Sequence, residues 1–306
     1  MMMPLIRASK VGFAAAITVV LAAAPVSAET ITVCTKGCDY TSIQDAIDAS
    51  SSGDVIQLLD NLFVLDDRIE IKGRGATIVG VPGAMTILDG SKLTTDEMVR
   101  ISGNGEPVLL EGLRIEGFRG TGVSCSGLGS PLFVDCEFTQ LERGIDAANG
   151  CGPDFYGCVF RENSSVDSKD LIRGAAMELN GSESIIEGCT FFENITLPFN
   201  SEDFAAVKAT ITTSLIIRDS FFCGNTPADI VGRWEDEGGN SFSLVCTQPC
   251  VGDIDQDGEV DAADLGLLTA AWGTDGSVVP GSDLNSDGIV KADDMGVLLA
   301  AWGPCP

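Results

Sequence analysis

The chain has 306 residues, and its 45 acidic residues outnumber its 18 basic residues, so the formal net charge is -27. A charge of this sign and size repels the phosphate backbone of nucleic acids, and we predict no nucleic-acid partner. The chain contains no histidine, which excludes Ser/His/Asp and Cys/His catalytic groups and histidine-ligated zinc or haem. Any catalysis or metal binding must therefore use carboxylates, lysine, arginine or a hard cation.

Residues 1–28 have the pattern of a secretory signal peptide. Two basic residues precede an apolar run over residues 11–24, and a small-residue cleavage site follows at Val26-Ser27-Ala28. The apolar run is shorter than the roughly 20 residues that cross a bilayer, and no later segment is long and apolar enough. We therefore predict cleavage near Ala28 and a secreted or cell-surface protein without a membrane span.

The eleven cysteines all follow this segment, which fits an oxidising compartment. Cys34 and Cys38 are four positions apart and could form a local disulfide. Connectivity does not follow from sequence alone, so the pairing of four others stays open. These are Cys125, Cys151, Cys223 and Cys246.

A short phrase occurs four times between residues 134 and 225. Its copies are VDCEF, YGCVF, EGCTF and RDSFF, spaced by 22, 31 and 31 residues, and the last three copies are followed by an asparagine. A small residue and a phenylalanine two positions later point to the same side of a strand. Thirteen residues before each small residue, a set of apolar positions repeats as well. The three sets are Cys136, Cys158, Cys189 and Ser220; Phe138, Phe160, Phe191 and Phe222; and Val123, Ile145, Ala176 and Val207.

Two strand positions that repeat together predict a coil wound into a parallel β-helix. Copies stacked about 4.8 Å apart would form a phenylalanine ladder, a small-residue ladder and an aliphatic ladder. Cys136, Cys158 and Cys189 should then be buried small hydrophobic residues rather than metal or redox ligands. The earlier segments ATIVG, MTILDG and VLLEGLRIEGF resemble further rungs. An antiparallel sandwich of short strands is the alternative fold.

A helix is predicted before the first rungs of the coil. The segment Thr41–Gln44 fits a capping box, and Ile43, Ala46 and Ile47 share one apolar face. A glycine-containing turn then leads into the strand VIQLL. We expect the helix to cover the N-terminal end of the coil, because an exposed rung invites pairing with another strand.

The segment YTSIQDAIDASSSGDVIQL and the repeated C-x-F rungs resemble the pectin-lyase-like right-handed parallel β-helix proteins over about residues 30–245. The resemblance implies a mainly β domain, residues 29–249, with an N-terminal capping helix. Families of this fold include pectate lyases, polygalacturonases and proteins without known catalysis. The chain lacks both the histidine of the hydrolase motif and an R-x-P-x-x-R segment like that of pectate lyases. The resemblance therefore implies a fold and no particular activity.

After Cys250 the chain becomes strongly acidic and contains two similar segments. DIDQDGEVDAADLGLLTAAWG begins at Asp253 and DLNSDGIVKADDMGVLLAAWG begins at Asp283, 30 residues later. Each fits an EF-hand loop, with oxygen-bearing side chains at positions 1, 3 and 5, glycine at 6 and an acid at 12. A hard cation needs six to eight oxygens, so alternate side chains must converge on it. We predict Ca2+ binding; two solvated acidic turns are the alternative.

The predicted ligands occupy matching positions of the two loops. In the first loop they are Asp253, Asp255, Asp257, the Glu259 carbonyl, Asp261 and Asp264. In the second loop they are Asp283, Asn285, Asp287, the Ile289 carbonyl and Asp294. Lys291 occupies position 9 of the second loop and cannot bind a cation, so this site should be weaker or use a water molecule there.

Two loop-plus-helix units with aspartate at position 12 resemble a dockerin, which implies a small all-α calcium-binding module over residues 250–306. In that family calcium folds the module and the helices bind a cohesin partner, usually tying polysaccharide-degrading enzymes to a scaffold. The resemblance also implies a disulfide between Cys250 and Cys305. The positions that usually carry Ser-Thr for the cohesin contact are Ala262-Ala263 and Ala292-Asp293 here. This difference argues against a standard cohesin partner.

The two longer copies of the repeat each hold nine extra residues, and we predict that both insertions leave the coil at one corner. Long loops beside a rigid scaffold are common places for ligand contacts. For β-elimination, a lysine or arginine would act as the base beside acids that hold a calcium ion against a uronate. For glycoside hydrolysis, two carboxylates would lie on either side of the glycosidic bond. The candidate catalytic residues are Lys169, Asp170, Arg173 and Glu202. A solvated pair of loops with ordinary ion pairs is the alternative.

These observations predict an exported protein of two domains whose best-supported activity is calcium binding. We expect the coil to contact polysaccharide or another surface polymer and the dockerin-like tail to anchor the protein, in polysaccharide binding or breakdown. A polysaccharide lyase or glycoside hydrolase of the β-helix class is one alternative. A structural or adhesive surface protein is another.

Overall fold

The computed structural model describes residues 28–103, 105–166, 174–181, 183–197, 205–210, 212–244, 246, 251–255, 259–276, 278–285 and 288–304. The predicted signal peptide up to residue 27 lies outside this part of the chain, as do Cys250 and Cys305, so neither the leader nor that disulfide is tested by the structure.

The secondary-structure elements begin with a strand and a short helix and continue mainly as strands. The first are β1 (Thr30–Val33), α1 (Ile43–Ala49), β2 (Val55–Leu58), β3 (Leu62–Val64), β4 (Ile69–Lys72), β5 (Ala76–Val79), β6 (Thr86–Asp89), β7 (Glu97–Gly103), β8 (Val108–Glu111), β9 (Leu113–Gly127), β10 (Leu132–Val134), β11 (Glu137–Ala148) and β12 (Asp154–Tyr156). They continue with β13 (Val159–Arg161), β14 (Ser164–Val166), β15 (Gly174–Asn180), β16 (Glu183–Glu187), β17 (Thr190–Phe192), β18 (Ile195–Leu197), β19 (Ala205–Ala209), β20 (Ser214–Arg218), β21 (Phe221–Cys223), β22 (Ile230–Val231), β23 (Trp234–Asp236) and β24 (Ser241–Ser243). The last are β25 (Glu259–Val260), α2 (Ala262–Ala270), α3 (Ala292–Ala300) and β26 (Gly303–Pro304).

Strands β1 to β24 form a parallel coil. One sheet has the order β1-β2-β5-β8-β10-β12-β16-β20-β23. In the second, 13-stranded sheet, the long strand β9 pairs with β6 and then with β7, and β11 pairs with β13 and then with β15. Every described pairing among these strands is parallel, and each joins one turn of the coil to the next. The predicted β-helix is confirmed, and the antiparallel sandwich is excluded for this part of the chain.

The phenylalanine ladder runs through the core as predicted. Successive ring centroids from Phe138 through Phe160, Phe191 and Phe222 to Phe242 are 4.7, 4.9, 4.5 and 5.1 Å apart. The first four rings are fully buried, while Phe242 at the C-terminal end is 47% exposed. Stacking at this spacing follows from parallel pairing, because each ring lies directly above its counterpart one coil earlier.

The small-residue ladder is also confirmed. Cys136, Cys158 and Cys189 are buried and carry free thiols. Each Sγ donates to a backbone carbonyl of a preceding coil, for example Cys136 to Leu110 at 3.3 Å. The Ser220 hydroxyl continues this column and accepts a hydrogen bond from the Cys189 N–H at 3.1 Å. These positions therefore pack as small core residues.

The aliphatic ladder differs from its prediction by one residue. Ile145 pairs with Met177, and Met177 pairs with Val207, so Ala176 does not occupy the predicted register. The cause is an irregularity in β15: three steps from Gly174 to Met177 stand opposite two steps from Ala205 to Val207. A β-bulge of this kind adds a residue to one strand without changing its apolar character, so spacing alone could not reveal it.

An asparagine ladder follows the phenylalanine ladder at the next corner of the coil. The Asn163 side chain donates to Asn194 Oδ1 at 2.9 Å, and the Asn194 side chain donates to Asn225 Oδ1 at 2.9 Å. Asn194 also donates to the Phe160 carbonyl at 2.8 Å and accepts the backbone N–H of Asn163 at 3.3 Å. Both Asn163 and Asn194 are fully buried. The ladder supplies partners for backbone groups that the bent chain would otherwise leave unsatisfied.

Three disulfides are described. Cys34–Cys38 confirms the predicted local bridge. The other two pair Cys125 with Cys151 and Cys223 with Cys246, which resolves the connectivity that the sequence left open.

Helix α1 lies against β1, β2 and β4, with Ile43, Ala46 and Ile47 buried, as expected for a cap on the N-terminal coils. The predicted capping box, Thr41–Gln44, is wrong, because the N-cap lies one residue later than predicted. Ser42 is the N-cap, and its hydroxyl accepts the Asp45 N–H at 3.2 Å. Gln44 instead holds the backbone of β4, since its side chain accepts the Glu70 N–H at 2.7 Å and donates to the Glu70 carbonyl at 3.1 Å.

The C-terminal segment, residues 250–306, contains α2 and α3 and a second apolar cluster. Its described core consists of Val260, Leu268, Ala271, Val290 and Leu298. The expectation of an all-α module is wrong, because β25 and β26 pair as antiparallel strands. β25 immediately precedes the N-cap of α2, and β26 follows α3, so these two short strands lie outside the helices.

The loss of stability caused by replacing a phenylalanine of the ladder with alanine should depend on its position in the ladder. We expect Phe191→Ala to lower the free energy of unfolding by about 3–5 kcal/mol, because its ring is buried between two others. Phe242→Ala is the matched control and should cost only about 1–2 kcal/mol, since one side of that ring is already exposed. Urea unfolding followed by circular dichroism measures both. Equal losses would contradict this account of the core.

The buried thiols predict protection from alkylation. Burial raises the pKa of the Cys136 thiol well above its ordinary value, and burial also raises that of Cys158. Neither thiolate nor access is then available at neutral pH. Iodoacetamide treatment with peptide mass spectrometry should leave Cys136, Cys158 and Cys189 unmodified in the folded protein and label all three in urea. Labelling in the folded protein at the unfolded rate would refute the assignment.

Candidate functional site

The first predicted calcium loop is organised around a buried carboxylate at position 12. Asp264 is fully buried in the first turn of α2. Its Oδ1 accepts the N–H groups of Ile254 and Asp255 at 2.6 and 3.1 Å, and its Oδ2 accepts the Asp261 N–H at 2.8 Å. Burial acts to raise the pKa of this carboxyl, but these backbone donors outweigh it, and the pKa lies below the ordinary aspartate value. The loop therefore closes on an ionised carboxylate.

The second loop repeats this arrangement 30 residues later. Asp294 is fully buried; its Oδ1 accepts the N–H groups of Leu284 and Asn285 at 2.8 and 3.1 Å, and its Oδ2 accepts the Lys291 N–H at 2.8 Å. Burial opposes ionisation and the backbone donors favour it more strongly, so the pKa of Asp294 is lowered as well. The position-12 carboxylates of the two loops therefore accept equivalent backbone N–H groups.

Three predicted ligands of the first loop converge. Asp253, Asp255 and Asp264 each offer one carboxylate oxygen, and these oxygens all lie within 4.8 Å of one another. Glu259 follows with an exposed side chain at position 7. Asp261 at position 9 also caps α2, since its Oδ1 accepts the Ala263 N–H at 2.7 Å. Asp257 at position 5 lies outside the described residues.

The described contacts of the second loop involve positions 1 and 9. The Asp283 carboxylate at position 1 accepts the Gly288 N–H at 2.9 Å. Lys291 at position 9 is the N-cap of α3 without a side-chain cap, and its ammonium lies 3.9 Å from Asp293. Asn285 and Ile289 are exposed, whereas Asp287 lies outside the described residues.

Each loop is tied to the chain beyond the other loop's helix. Val260 in β25 pairs with Gly303, which follows α3. The N–H of Gly273, which follows α2, donates to the Val290 carbonyl at 2.8 Å. The glycines that end the two AAWG segments therefore serve as backbone partners for the opposite loops.

The candidate catalytic residues fall outside the described part of the chain. Lys169, Asp170, Arg173 and Glu202 belong to the two insertions, and their catalytic roles stay predictions. The strands that flank the insertions are described: β14 pairs in register with β18, and β15 pairs with β19. Both insertions therefore leave from, and return to, neighbouring coils at the same corner, as predicted.

A charged cluster that the sequence analysis missed lies on the strands beside that corner. Arg143 is 4% exposed, and its guanidinium lies 2.6 Å from Asp146 and 3.5 Å from Glu178. Lys208 lies 3.7 Å from the other oxygen of Glu178. Asp146, Glu178 and Lys208 occupy one register position on three successive coils. The sequence could have indicated this cluster, because Asp146, Glu178 and Lys208 each directly follow a buried residue of the aliphatic ladder and so point outward. Because these charges are paired with one another, we read the cluster as a link between coils.

No helix within the described residues is long and apolar enough to cross a membrane. Residues 97–228 match a family model described as the right handed beta helix region. No curated protein matches the chain. The family match begins at β7 and extends past β21, within the parallel sheets. The coil formed by these strands is therefore a right-handed β-helix.

Proposed function

We propose that this chain is an exported calcium-binding protein whose β-helix presents a surface to polysaccharide and whose C-terminal segment binds Ca2+ and anchors the protein. The convergence of Asp253, Asp255 and Asp264 carries this proposal, since their ligand oxygens lie within 4.8 Å of one another. Oxygens on opposite sides of a calcium ion, each about 2.4 Å from it, are about 4.8 Å apart. The three carboxylates therefore have a spacing suited to a single ion.

The charge of the loops explains why a cation would stabilise this segment. Carboxylates at such short separations repel one another unless a cation lies between them. The position-12 aspartates are already held ionised by backbone donors, so protonation does not relieve the repulsion at neutral pH. A bound divalent ion would relieve the repulsion between these carboxylates. Its binding energy would then add to the stability of the segment.

The anchoring role rests on the duplicated loop-and-helix units and their dockerin resemblance. Ala262 and Ala263 on α2, and Ala292 and Asp293 on α3, are exposed and accessible to a partner. They offer no hydroxyl groups where dockerins usually have Ser-Thr. We propose a cohesin-like partner that packs against small side chains at these positions. The three disulfides support an oxidising compartment and hence export.

Calcium binding is tested with two matched charge removals. Asp255→Asn should weaken calcium binding to the first loop by about tenfold or more, because it replaces a ligand carboxylate. Asp293→Asn removes the same charge at position 11, outside the ligand positions, and should change affinity by less than about twofold. Isothermal titration calorimetry measures both. Equal effects of the two variants, or no calcium uptake by the unmodified protein, would overturn the assignment.

The second loop predicts a gain of affinity. Lys291→Asp should strengthen its calcium binding by about fivefold or more, because aspartate at position 9 supplies an oxygen and can cap α3 as Asp261 caps α2. Lys291→Ala is the control that removes the positive charge without adding an oxygen. Calorimetric titration should rank the Asp variant above the Ala variant and both above the unmodified chain. The reverse order would contradict the assigned loop geometry.

A further inference from the structure

The two ends of the β-helix differ in how they are covered. At the N-terminal end, the Thr32 carbonyl of β1 accepts the Tyr40 N–H at 3.1 Å, and helix α1 packs on the first strands. The last coil, residues 230–243, is left partly open within the described chain: Phe242 is 47% exposed and Trp234 is only partly buried. An open end of this kind is a template for pairing with another strand.

Strand β23 forms one edge of this open end. It pairs with β20 of the preceding coil and with no other described strand. The Glu237 N–H, which follows β23, donates to the Ile217 carbonyl of β20 at 3.0 Å. Backbone groups of successive residues point to opposite sides of a strand, so those of Trp234 and Asp236 point away from β20. The outer edge of β23 is therefore suited to recognition by addition of one more strand.

The charges on the outer face beside this edge alternate from coil to coil. The Arg218 guanidinium lies 2.7 Å from the Glu187 carboxylate of the coil before it and 2.9 Å from the Glu237 carboxylate of the last coil. This column reads negative, positive, negative, so a cation in an added strand would continue it. Glu235 and Asp236 are exposed, and neither forms an ion pair with a described residue. The edge therefore favours a basic partner.

The order of charges along this edge specifies a sequence pattern for the partner. Residues 233–237 read positive, aromatic, negative, negative, negative, and Arg233 is exposed. A parallel strand in register would carry an acid opposite Arg233 and an apolar residue opposite Trp234. It would carry basic residues opposite Glu235 and Glu237, with a small polar residue between them. Opposite charges on facing positions favour such pairing.

Two other occupants of this end fit less well. A second copy in a two-fold arrangement would bring two acidic edges together, and like charges on facing strands are destabilising. A head-to-tail arrangement of copies is opposed by α1, which covers the first strands. The C-terminal segment of the same chain has its own apolar cluster around Val260 and Leu298 and is itself strongly acidic. These observations leave a basic partner.

We propose that the open end of the coil binds an extended, basic segment of another protein, which adds to β23 as the next parallel strand. The backbone edge supplies affinity, and the order of charges supplies orientation and specificity. The apolar residue of the partner packs on Trp234. This partner is additional to the calcium, polysaccharide and cohesin-like ligands proposed above, and the residues that bind it belong to none of those sites.

The test is fluorescence-anisotropy binding of the blocked, labelled peptide SEFKSRG to the purified full chain. The salt concentration is about 0.15 M, at which attraction between distant charges is screened. We expect saturable binding. The reversed peptide GRSKFES has the same composition and should bind more weakly by about fivefold or more. A peptide N-methylated at its lysine and arginine should lose as much, because the N–H groups that face β23 are removed.

A charge exchange tests the register. Glu235→Lys should weaken binding of SEFKSRG by about fivefold, because it places like charges opposite one another. Glu106→Lys is the matched control: it reverses the same charge at an exposed position before β8 and should change affinity by less than about twofold. The peptide SEFESRG carries glutamate at the corresponding position. It should bind the Glu235→Lys variant more tightly than SEFKSRG does.

Several outcomes would overturn this proposal. These are no binding of SEFKSRG, equal binding of the reversed or N-methylated peptide, equal effects of Glu235→Lys and Glu106→Lys, and a charge exchange that restores nothing. Sedimentation velocity of the unmodified chain should show a monomer. A dimer that Trp234→Ala abolishes would assign the open end to a second copy instead. Both charge variants change exposed side chains, and circular dichroism should show the same fold for each.

Discussion

In-register stacking of parallel strands is the constraint on which the rest of this structure depends. Because each strand pairs with its counterpart one coil later, about 4.8 Å away, every side chain meets the equivalent side chain of its neighbours. Residues that stack well on their own kind are therefore selected at each inward position. Phe160 and Phe191 stack at 4.9 Å with nearly parallel rings, and Asn163 hydrogen-bonds directly to Asn194. Charged residues on the outer face are balanced by opposite charges: Glu137 lies between Arg114 and Arg161. Where Asp146 stacks on Glu178, the Arg143 guanidinium contacts both carboxylates.

Because the coil is so regular, we expect functional groups where the repeat is interrupted. A uniform coil offers ladders of identical surface, and a ligand needs convergent groups of different kinds. Here such groups occur where α1 packs on β4, where the insertions leave the coil beside Arg143 and Glu178, and where the coil gives way to the acidic C-terminal segment. The cap has two roles in this arrangement. It covers the first coils, and its terminal carbonyls orient Arg74.

The C-terminal segment uses duplication in a different way. Its two 30-residue units do not stack as successive coils; each loop pairs instead with the residue that follows the other unit's helix. The buried carboxylates of Asp264 and Asp294 organise the loops from inside by accepting three backbone N–H groups each. At the start of the first loop, Asp253 and Asp255 each place a carboxylate oxygen within 4.8 Å of an oxygen of Asp264. An acidic chain thus concentrates its negative charge where a cation can neutralise it.

Sequence by itself determined the periodic features: the coil, the phenylalanine and cysteine columns and the 30-residue repeat of the two acidic loops. Each is set by residue spacing within a short stretch, and spacing follows directly from strand or loop geometry. Tertiary structure alone decided the rest. A bulge before Met177 displaced Ala176, the contact of Gln44 with Glu70 left Ser42 to cap α1, and the partners of Cys125 and Cys223 came from other coils. The packing of α1 on β4 belongs to this second group. Its parts lie more than twenty residues apart in the chain and meet only because the coil returns β4 beneath the helix.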